Sequence, residues 1–275
     1  MTHPAIAAGG TAVITGAASG IGLAAARSLA AEGMTIAMID VSGPALKAAA
    51  AALPGARPFT LDVSDRSAVA AAAATIARDM PPTTLLFNNA GLGVPSSALG
   101  DREAWDRTLG VNFGGILNVA QAVVPAMLSH GLPAAVINTG SKQGITLPPG
   151  NPAYNVSKAA VKAYTESLAH ELRNLPGSNI SVHLMIPGWV HTGMTAAAGA
   201  AKPTGAWTPE QAVDFMLSSL SNGDFYILCP DNDVSRALDE RRIAWAAGDI
   251  IENRPPLSRW HPDWAEAFKQ SIKDL

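Results

Sequence analysis

Short apolar runs alternate with longer alanine-rich or amphipathic segments along most of this chain. The short runs have the length and composition of buried β-strands, and they cover residues 11–15, 34–39, 58–61, 84–87, 134–138, 180–186 and 225–228. The longer segments predict helices at residues 21–31, 44–53, 65–78, 102–129, 153–172 and 209–220. Strands and helices that alternate in this way indicate a parallel sheet with helices on both of its faces.

Capping and helix-breaking residues mark several of these helices. Ser64 is the expected N-cap of the third helix. Thr208, with Pro209 at the first helical position, is the expected N-cap of the last. Pro125 should bend the long fourth helix or start a new turn in it.

The composition supports one large globular unit. Apolar residues make up 48% of the 275 residues and charged residues 15%, which provides a substantial core and argues against disorder. Neither an internal repeat nor a linker precedes Pro230. The sequence therefore predicts a single α/β domain, residues 1–230, and a C-terminal extension, residues 231–275, that packs on the body or on a neighbouring subunit.

Charge and targeting signals narrow the class of protein. The net charge of −3, with no strongly basic stretch, argues against a nucleic-acid partner or an anionic membrane surface. The single cysteine, Cys229, excludes an intramolecular disulfide and suits a reducing compartment. Residues 1–10 lack the pattern of a signal peptide, and the alanine-rich run 68–77 is too short and too weakly apolar to span a bilayer. We therefore expect a soluble, cytoplasmic protein.

A glycine-rich turn follows the first strand and opens the first helix. It reads T-G-A-A-S-G-I-G at residues 15–22. Glycines allow a tight turn and a close approach of the backbone to a pyrophosphate, and the helix N-terminus offers free N–H groups to the phosphates. The spacing G-x-x-x-G-x-G differs from the common dinucleotide fingerprint, but its place between strand and helix favours a nucleotide site. The candidate residues are Gly16, Ser19, Gly20, Ile21 and Gly22.

Two acidic residues at strand ends bear on the choice of cofactor. Asp40 ends the second strand, where a carboxylate accepts hydrogen bonds from the ribose hydroxyls and repels a 2′-phosphate. Neither 17–22 nor 41–45 contains Arg or Lys, so NAD is favoured over NADP, the alternative being that Asp40 only caps a turn. Asp62 ends the third strand and could accept from the adenine amino group, with Val63 packing on the ring.

Three residues after the fifth strand suggest a site that handles protons. Tyr154 and Lys158 are four positions apart, so they share one face of a helix, and Ser141 lies just after the apolar run. A phenol has a pKa of about 10, which a nearby ammonium lowers, while a hydroxyl can polarise the substrate oxygen. In isolation the pair also fits an ordinary tyrosine at a helix start and a solvated lysine.

Taken together, these motifs resemble those of the classical short-chain dehydrogenase/reductase family over about residues 9–230. The matching segments are T-G-x-x-x-G-I-G at 15–22, N-N-A-G at 88–91, V-N-F around Asn112, S-x-x-G at 141–144, Y-x-x-x-K at 154–158 and P-G-x-V-x-T at 187–192. Any one motif could arise by chance, but their order and spacing together make a strong signal. The resemblance implies an α/β fold with a Rossmann-type, doubly wound parallel sheet, followed by the C-terminal extension.

The resemblance also implies roles for individual residues. Tyr154 exchanges the proton of a secondary alcohol while hydride passes to a nicotinamide. Ser141 binds the reacting oxygen, and Lys158 lowers the tyrosine pKa and binds the nicotinamide ribose. Asn112 anchors a water relay at a kink in its helix. Cofactor contacts fall on Asn89, Ala90, Gly91, Pro187, Gly188, Val190 and Thr192.

Family members pair through the two long outer helices that correspond to 102–129 and 153–172, so the resemblance further implies a homodimer or homotetramer.

The chain departs from the family pattern in three places. Gly140-Ser141 replaces the usual pair of small hydroxyl residues, which leaves Thr139 as the fallback if the register shifts. Lys142 is a charge to which the sequence assigns no role. The chain also continues, as residues 231–275, beyond the point where compact members end.

The residues predicted to line the substrate pocket are all small or apolar. They are Gly93, Val94, Ser141, Ile145, Leu147, Trp189 and Met194. They predict a hydrophobic secondary alcohol or ketone, an aromatic one included. Trp189 and Met194 fit core packing equally well. The Ala- and Gly-rich segment 195–206 is expected to act as a flexible lid.

The extension carries both charged and aromatic residues. Arg236, Arg241 and Arg242 alternate with acidic residues and predict a solvated helix face. Trp260 and Trp264 are expected to dock on the body or on a neighbouring subunit, the alternative being that they close the active site.

The sequence therefore predicts an NAD-dependent alcohol dehydrogenase or carbonyl reductase. The alternatives are an NADP-dependent carbonyl or 3-oxoacyl reductase, and a catalytically idle NAD-binding sensor or scaffold. Asp40 and the acidic balance weigh against the 3-oxoacyl reductase, and an idle site has no need of a cation beside a phenol. No metal site is expected, because metal-ligand spacing is absent among His170, His183, His191 and Cys229.

Overall fold

A parallel sheet forms the centre of the molecule. The structure is a computed structural model that describes residues 2–100, 102–195 and 199–274. Within these residues the strands are β1 Thr11–Thr15, β2 Thr35–Asp40, β3 Ala56–Thr60, β4 Thr83–Asn88, β5 Ala134–Thr139, β6 Ile180–Ile186 and β7 Tyr226–Leu228. All pair in parallel, in the order β3-β2-β1-β4-β5-β6-β7. The predicted doubly wound, Rossmann-type sheet is therefore confirmed.

Helices cover both faces of this sheet. They are α1 Gly20–Ala31, α2 Gly43–Ala51, α3 Arg66–Asp79, α4 Arg102–Leu109, α5 Gly115–His130, α6 Gln143–Thr146, α7 Pro152–Asn174, α8 Pro209–Asn222, α9 Arg236–Ile251 and α10 Ala265–Ser271. Ala12 and Ile14 of β1 pack in the core cluster that includes α1 and α8, whereas Val13 packs in the cluster that includes α3 and α5. Because successive side chains point to opposite faces, a strand buried on both sides is apolar at every position.

The strand order changes direction between β1 and β4. From β1 it builds outwards to β2 and β3, then returns to place β4 on the other side of β1. The loops at the carboxyl ends of these two strands diverge there and open a crevice, which is where sheets of this kind bind ligands. Gly16 follows β1 at this crevice, and Asn89 follows β4.

The N-cap of α3 and the continuity of the fourth helix differ from the sequence prediction, whereas the N-cap of α8 agrees with it. Ser64 is not the N-cap of α3, because the carboxylate of Asp65 accepts the backbone N–H bonds of Ser67 and Ala68. Thr208 does cap α8, in a reciprocal capping box with Gln211. The long helix predicted at 102–129 is divided by a π segment, Gly110–Gly114, between α4 and α5.

Across this π segment, Arg102–His130 is long and apolar enough, by length and composition, to cross a membrane. Several of its apolar residues lie in the protein core instead. Val119, Val123 and Met127 are buried against Val69 and Ile76 of α3 in one core cluster. This packing is that of a core helix in a soluble protein.

The extension folds back on the body of its own chain. Arg254 links two of its helices, because its guanidinium lies 4.2 Å from the centre of the Trp245 ring on α9 and 5.6 Å from the centre of the Trp264 ring, just before α10. Lys142, at the start of α6, forms ion pairs with Asp231 and Asp239 of the extension.

Candidate active site

Ser141, Tyr154 and Lys158 meet at the carboxyl end of β5. Asn151 caps α7, and its side chain accepts the N–H of Tyr154 at 3.4 Å, so the tyrosine lies in the first turn of the helix. The hydroxyl of Ser141 is hydrogen-bonded to the phenol of Tyr154. The ammonium of Lys158, one turn further along α7, lies 5.7 Å from the centre of the tyrosine ring.

Burial sets the protonation behaviour of Lys158. Its Nζ donates to the carbonyl oxygen of Thr139 at 2.8 Å, and burial lowers its pKa to about 8.

Gly144 allows α6 to lie directly on this part of α7. A Cβ at Gly144 would lie 2.5 Å from the carbonyl carbon of Lys158. The glycine of the S-x-x-G motif is therefore required by helix contact.

The pKa of Tyr154 shifts in the direction opposite to the one expected from the sequence. Burial of the ring raises its pKa, and the hydrogen bond from Ser141 only partly opposes this rise. The expectation that the nearby ammonium gives a net lowering is wrong here, because loss of solvent outweighs the favourable contact. Ser141 is thus the group that makes the phenol more acidic.

Asn112 lies in the π segment and is fully buried. Its Oδ1 accepts the N–H of Leu92 at 2.8 Å, and its Nδ2 donates to the carbonyl of Leu92 at 3.0 Å and to Ser157 Oγ at 3.0 Å. The side chain therefore joins the segment after β4 to α7. A water relay at this residue would have to use its main chain.

Two cavities open along the crevice. The main cavity, about 790 Å³, extends from Gly16 past Ser141 and Tyr154 to Arg242. The strand-end cavity, about 420 Å³, lies at the ends of β2 and β3 and shares Gly16 and Asp40 with the main cavity. The predicted cofactor residues that line one or both are Gly16, Ser19, Gly20, Ile21, Asp40, Asp62, Val63, Asn89, Ala90, Gly91, Tyr154, Lys158, Pro187, Gly188, Val190 and Thr192.

Gly22 lines neither cavity and has a packing role instead. A Cβ there would overlap the carbonyl oxygen of Gly16 and lie 2.9 Å from Asn89 Nδ2. Gly16 and Gly20 have φ angles of 67° and 53°, in the left-handed region that favours glycine. Ser19 begins α1 without a side-chain capping bond, so the N–H groups of the first turn remain available to an anion.

Asp40 lies where the two cavities join. Its Oδ2 accepts the N–H of Ala18 at 3.0 Å and its Oδ1 accepts the N–H of Ser42 at 2.9 Å. A carboxylate has about four acceptor positions, so it can also receive two ribose hydroxyls. The glycine turn, the helix N-terminus and this carboxylate together fit a dinucleotide.

The predicted substrate residues divide into three groups. Gly93, Ser141, Trp189 and Met194 line the main cavity. Trp189 and Met194 are 41% and 51% exposed, which argues against core packing. Ile145 instead lines a smaller side cavity of about 340 Å³, which lies between α6 and the extension.

The third group lines neither the main nor the side cavity. The carbonyl of Val94 accepts a hydrogen bond from Asn151 Nδ2 at 3.0 Å, and so helps to hold the start of α7. Leu147 ends α6 in a left-handed conformation with φ 47°.

The predicted lid, 195–206, is only partly within the structure, since residues 196–198 lie outside the described residues. The described part is anchored at both ends. Thr195 Oγ1 donates to the carbonyl of Val190 at 2.6 Å, and Asn232 Nδ2 donates to the carbonyl of Thr204 at 2.6 Å.

Charged residues of the extension form a part of the site that the sequence did not reveal. Arg242, expected on a solvated face, lines both the main and the side cavity, together with Lys142. The Lys142 ammonium lies 2.5 Å from Asp239 Oδ2 and 3.4 Å from Asp231 Oδ2. Asp239 and Arg242 are three positions apart on α9, which is the only sequence signal for this cluster. Nothing in the sequence pairs them with Lys142.

Comparisons with known proteins agree with this geometry. Residues 10–203 match the family model described as short chain dehydrogenase. The chain is 34% identical over 218 residues to 3-oxoacyl-(acyl-carrier-protein) reductase FabG of Thermotoga maritima, across 78% of this chain and 83% of that protein. It is 35% identical over 261 residues to 1-deoxy-11-beta-hydroxypentalenate dehydrogenase of Streptomyces arenae, across 90% of this chain and 92% of that protein.

The fold is likewise similar to that of a short chain dehydrogenase/reductase from Burkholderia phymatum, whose crystal structure is a complex with NAD. The TM-score is 0.81 at 29% sequence identity, and the match covers 90% of this chain and 96% of the other.

Proposed function

The chain belongs to the short chain dehydrogenase family of oxidoreductases, and on this premise we propose that it interconverts a secondary alcohol and its ketone with NAD as cofactor. The observation that carries the proposal is the hydrogen bond between Ser141 and Tyr154 beside the buried ammonium of Lys158, at the wall of the main cavity. Trp189 and Met194 on the same wall support a substrate with a largely apolar body.

The chain's own residues handle the proton. A bound nicotinamide would supply the hydride chemistry at the carbinol carbon in either direction. Tyr154 takes the hydroxyl proton of the alcohol as a phenolate and returns it to the ketone oxygen as a phenol. Ser141 donates to the reacting oxygen and stabilises the phenolate. Lys158 supplies the positive charge that favours the phenolate in this buried site.

Asp40 supports NAD over NADP. A carboxylate at the end of the second strand would accept hydrogen bonds from the ribose hydroxyls and repel a 2′-phosphate, and neither 17–22 nor 41–45 offers a cation to neutralise such a phosphate. The Burkholderia phymatum relative was crystallised with NAD. The same reasoning weighs against an NADP-dependent 3-oxoacyl reductase.

The decisive experiment measures initial rates of NADH formation from NAD on a panel of secondary alcohols, aliphatic through aryl, with wild-type protein and Tyr154→Phe. We expect the variant to lose about 10²- to 10⁴-fold in turnover, the usual contribution of general acid–base catalysis, with NAD binding unchanged. A wild-type rate that Tyr154→Phe leaves intact would refute the mechanism. Tight NAD binding without turnover on any alcohol would favour the sensor or scaffold.

The proposal also covers the oligomeric state of the protein and its location in the cell. We infer a homodimer or homotetramer in the cytoplasm, formed through α5 and α7, on the family analogy. Light scattering coupled to size-exclusion chromatography measures the assembly directly, and a monomer at micromolar concentration would refute it.

A further inference from the structure

Arg242 is a cation at the wall of the main cavity that the proposed proton chemistry does not use. It projects from α9 of the extension, its side chain is 23% exposed, and it lines the same cavity as Ser141 and Tyr154. The dinucleotide motifs lie at the other end of this cavity. A substrate that reaches Tyr154 therefore enters a cavity whose wall includes this guanidinium.

The hydrogen-bonding capacity of Arg242 is largely unfilled by the protein. Its Nε–H is buried without an acceptor among the described residues. The nearest paired carboxylate oxygen, Asp239 Oδ1, is 4.0 Å from Nη1, which is beyond hydrogen-bond length. Buried donors normally have partners, and an unpaired one lowers the stability of the fold. Arg242 therefore lacks a short hydrogen bond to a carboxylate of the protein, and the exposed part of its side chain, at the wall of the main cavity, is open to a ligand.

The carboxylates near Arg242 are directed to another cation. The Lys142 ammonium lies 2.5 Å from Asp239 Oδ2 and 3.4 Å from Asp231 Oδ2. Asp231 Oδ2 also accepts the N–H of Trp189 at 3.0 Å. These contacts hold both carboxylates on the lysine side of the cluster. They leave Arg242 with only a long-range partner.

A second arginine adds to the positive charge. Arg259 lines the side cavity with Arg242, and its pKa is lowered to about 10, first by burial and then by the charge of Arg242. Three cations, Lys142, Arg242 and Arg259, therefore face two carboxylates, which leaves one positive charge without a partner. Burial raises the pKa of Asp239 despite Lys142, so any protonation of this carboxyl would only increase the positive excess.

We propose that Arg242 determines specificity by binding a carboxylate of the substrate, so that the substrate is a hydroxy acid or oxo acid with an apolar body. The planar guanidinium fork matches a carboxylate in a two-point contact. One excess charge suits a monoanion better than a dianionic phosphate. The inference rests on the proposed function and deepens it, because the anion belongs to the same alcohol that Tyr154 would deprotonate, or to the ketone that it would protonate.

The test measures binding, so it does not depend on turnover. NADH-saturated protein, which cannot oxidise an alcohol, is titrated calorimetrically with carboxylates from acetate to benzoate and 3-hydroxybutyrate, each compared with its neutral amide. We expect at least one carboxylate to bind wild-type protein about 10- to 100-fold more tightly than its amide, as for a charge-assisted pair. Arg242→Gln should abolish this preference, and Arg242→Lys, which keeps the charge without the fork, should retain part of it.

Arg241→Gln is the matched control, because Arg241 is exposed on the same helix. This variant should keep the full preference for the carboxylate. The inference is overturned if wild-type protein prefers no carboxylate over its amide, if Arg242→Gln keeps the preference while melting like wild type, or if Arg241→Gln loses it equally. A preference that depends on Arg242, in a protein that oxidises no alcohol, would support this inference while refuting the proposed reaction.

Discussion

At the scale of single residues, burial shifts the protonation of the groups that we propose for catalysis. Burial raises the pKa of Tyr154 and lowers that of Lys158 to about 8. Both shifts favour the neutral forms, a phenol and an amine. The hydrogen bond from Ser141 lowers the pKa of the tyrosine and so favours the phenolate. The pH dependence of the reaction should therefore report on this hydroxyl.

Replacement of Ser141 by Ala should move the pH profile of alcohol oxidation upwards. The base in oxidation is the phenolate, so the rate rises as pH passes through the tyrosine pKa, and loss of the hydrogen bond that lowers this pKa shifts the rise to higher pH. Steady-state kcat/KM measured from pH 7 to above pH 10 locates the midpoint, because burial puts the tyrosine pKa above its ordinary value of about 10. Thr139→Val, which removes the other nearby hydroxyl, should leave the midpoint where it is. An upward shift in Thr139→Val but not in Ser141→Ala would assign the role to the threonine.

Replacement of Asp40 by Ala should reduce the preference for NAD over NADP. The change removes the repulsion of a 2′-phosphate and the acceptor for the ribose hydroxyls, so the ratio of the two kcat/KM values should fall by about tenfold or more. Asp62→Ala is the control, because contact with the adenine would affect both cofactors equally. An unchanged ratio in Asp40→Ala would refute the assignment of this carboxylate.

At the scale of elements, the π segment between α4 and α5 connects the catalytic and adenine ends of the crevice. Asn112 within it binds Leu92 and Ser157. Gly115, which directly follows it, lies against Val63 at the wall of the strand-end cavity. A change in this segment should therefore affect cofactor binding as well as stability.

Replacement of Gly115 by Ala should weaken NAD binding and lower the free energy of unfolding by about 1–3 kcal/mol, as for an overpacked core site. The new Cβ would lie 2.5 Å from Val63 Cγ2 and 3.0 Å from Val63 Cβ. Gly114→Ala is the neighbouring control, since its Cβ would meet only the carbonyl oxygen of Leu109 at 3.6 Å. Urea unfolding and NAD titration of both variants test this, and equal effects would contradict the packing argument.

At the scale of the whole molecule, Lys142 attaches the extension to the catalytic body. It follows Ser141 directly and pairs with two carboxylates that come from beyond Pro230. Breaking a buried ion pair by removing one partner leaves uncompensated charge in the interior. The extension and the substrate side of the cavity should therefore loosen together.

Replacement of Lys142 by Met should destabilise the fold by about 3–5 kcal/mol and expose residues 231–275 to proteolysis. Lys162→Met provides the control, because Lys162 forms a half-exposed i,i+4 pair with Glu166 that should contribute less than about 1 kcal/mol. Urea unfolding and limited trypsin digestion distinguish the two. Equal losses of stability would show that Lys142 acts as an ordinary surface charge.

Much of this molecule follows from local patterns in the chain. Strand β5 is buried along its whole length because both faces of the sheet are covered, and its residues 134–137 are accordingly apolar. Thr208 begins α8 because its hydroxyl accepts a free N–H of the first turn. The same local signals missed the π segment and the N-cap at Asp65. Ser64 and Asp65 are both good caps, and only the local backbone geometry selects between them.

The sequence by itself determined the order of strands and helices, the glycine turn and the positions of Ser141, Tyr154 and Lys158, because each depends on periodicity or on spacing within one element. Tertiary structure alone decided the direction of the tyrosine pKa shift and the contacts of Lys142 and Arg242. Desolvation depends on everything packed around a group. Ion pairs between residues about 90 positions apart leave no periodic signal, since the chain must fold before Asp231 can meet Lys142.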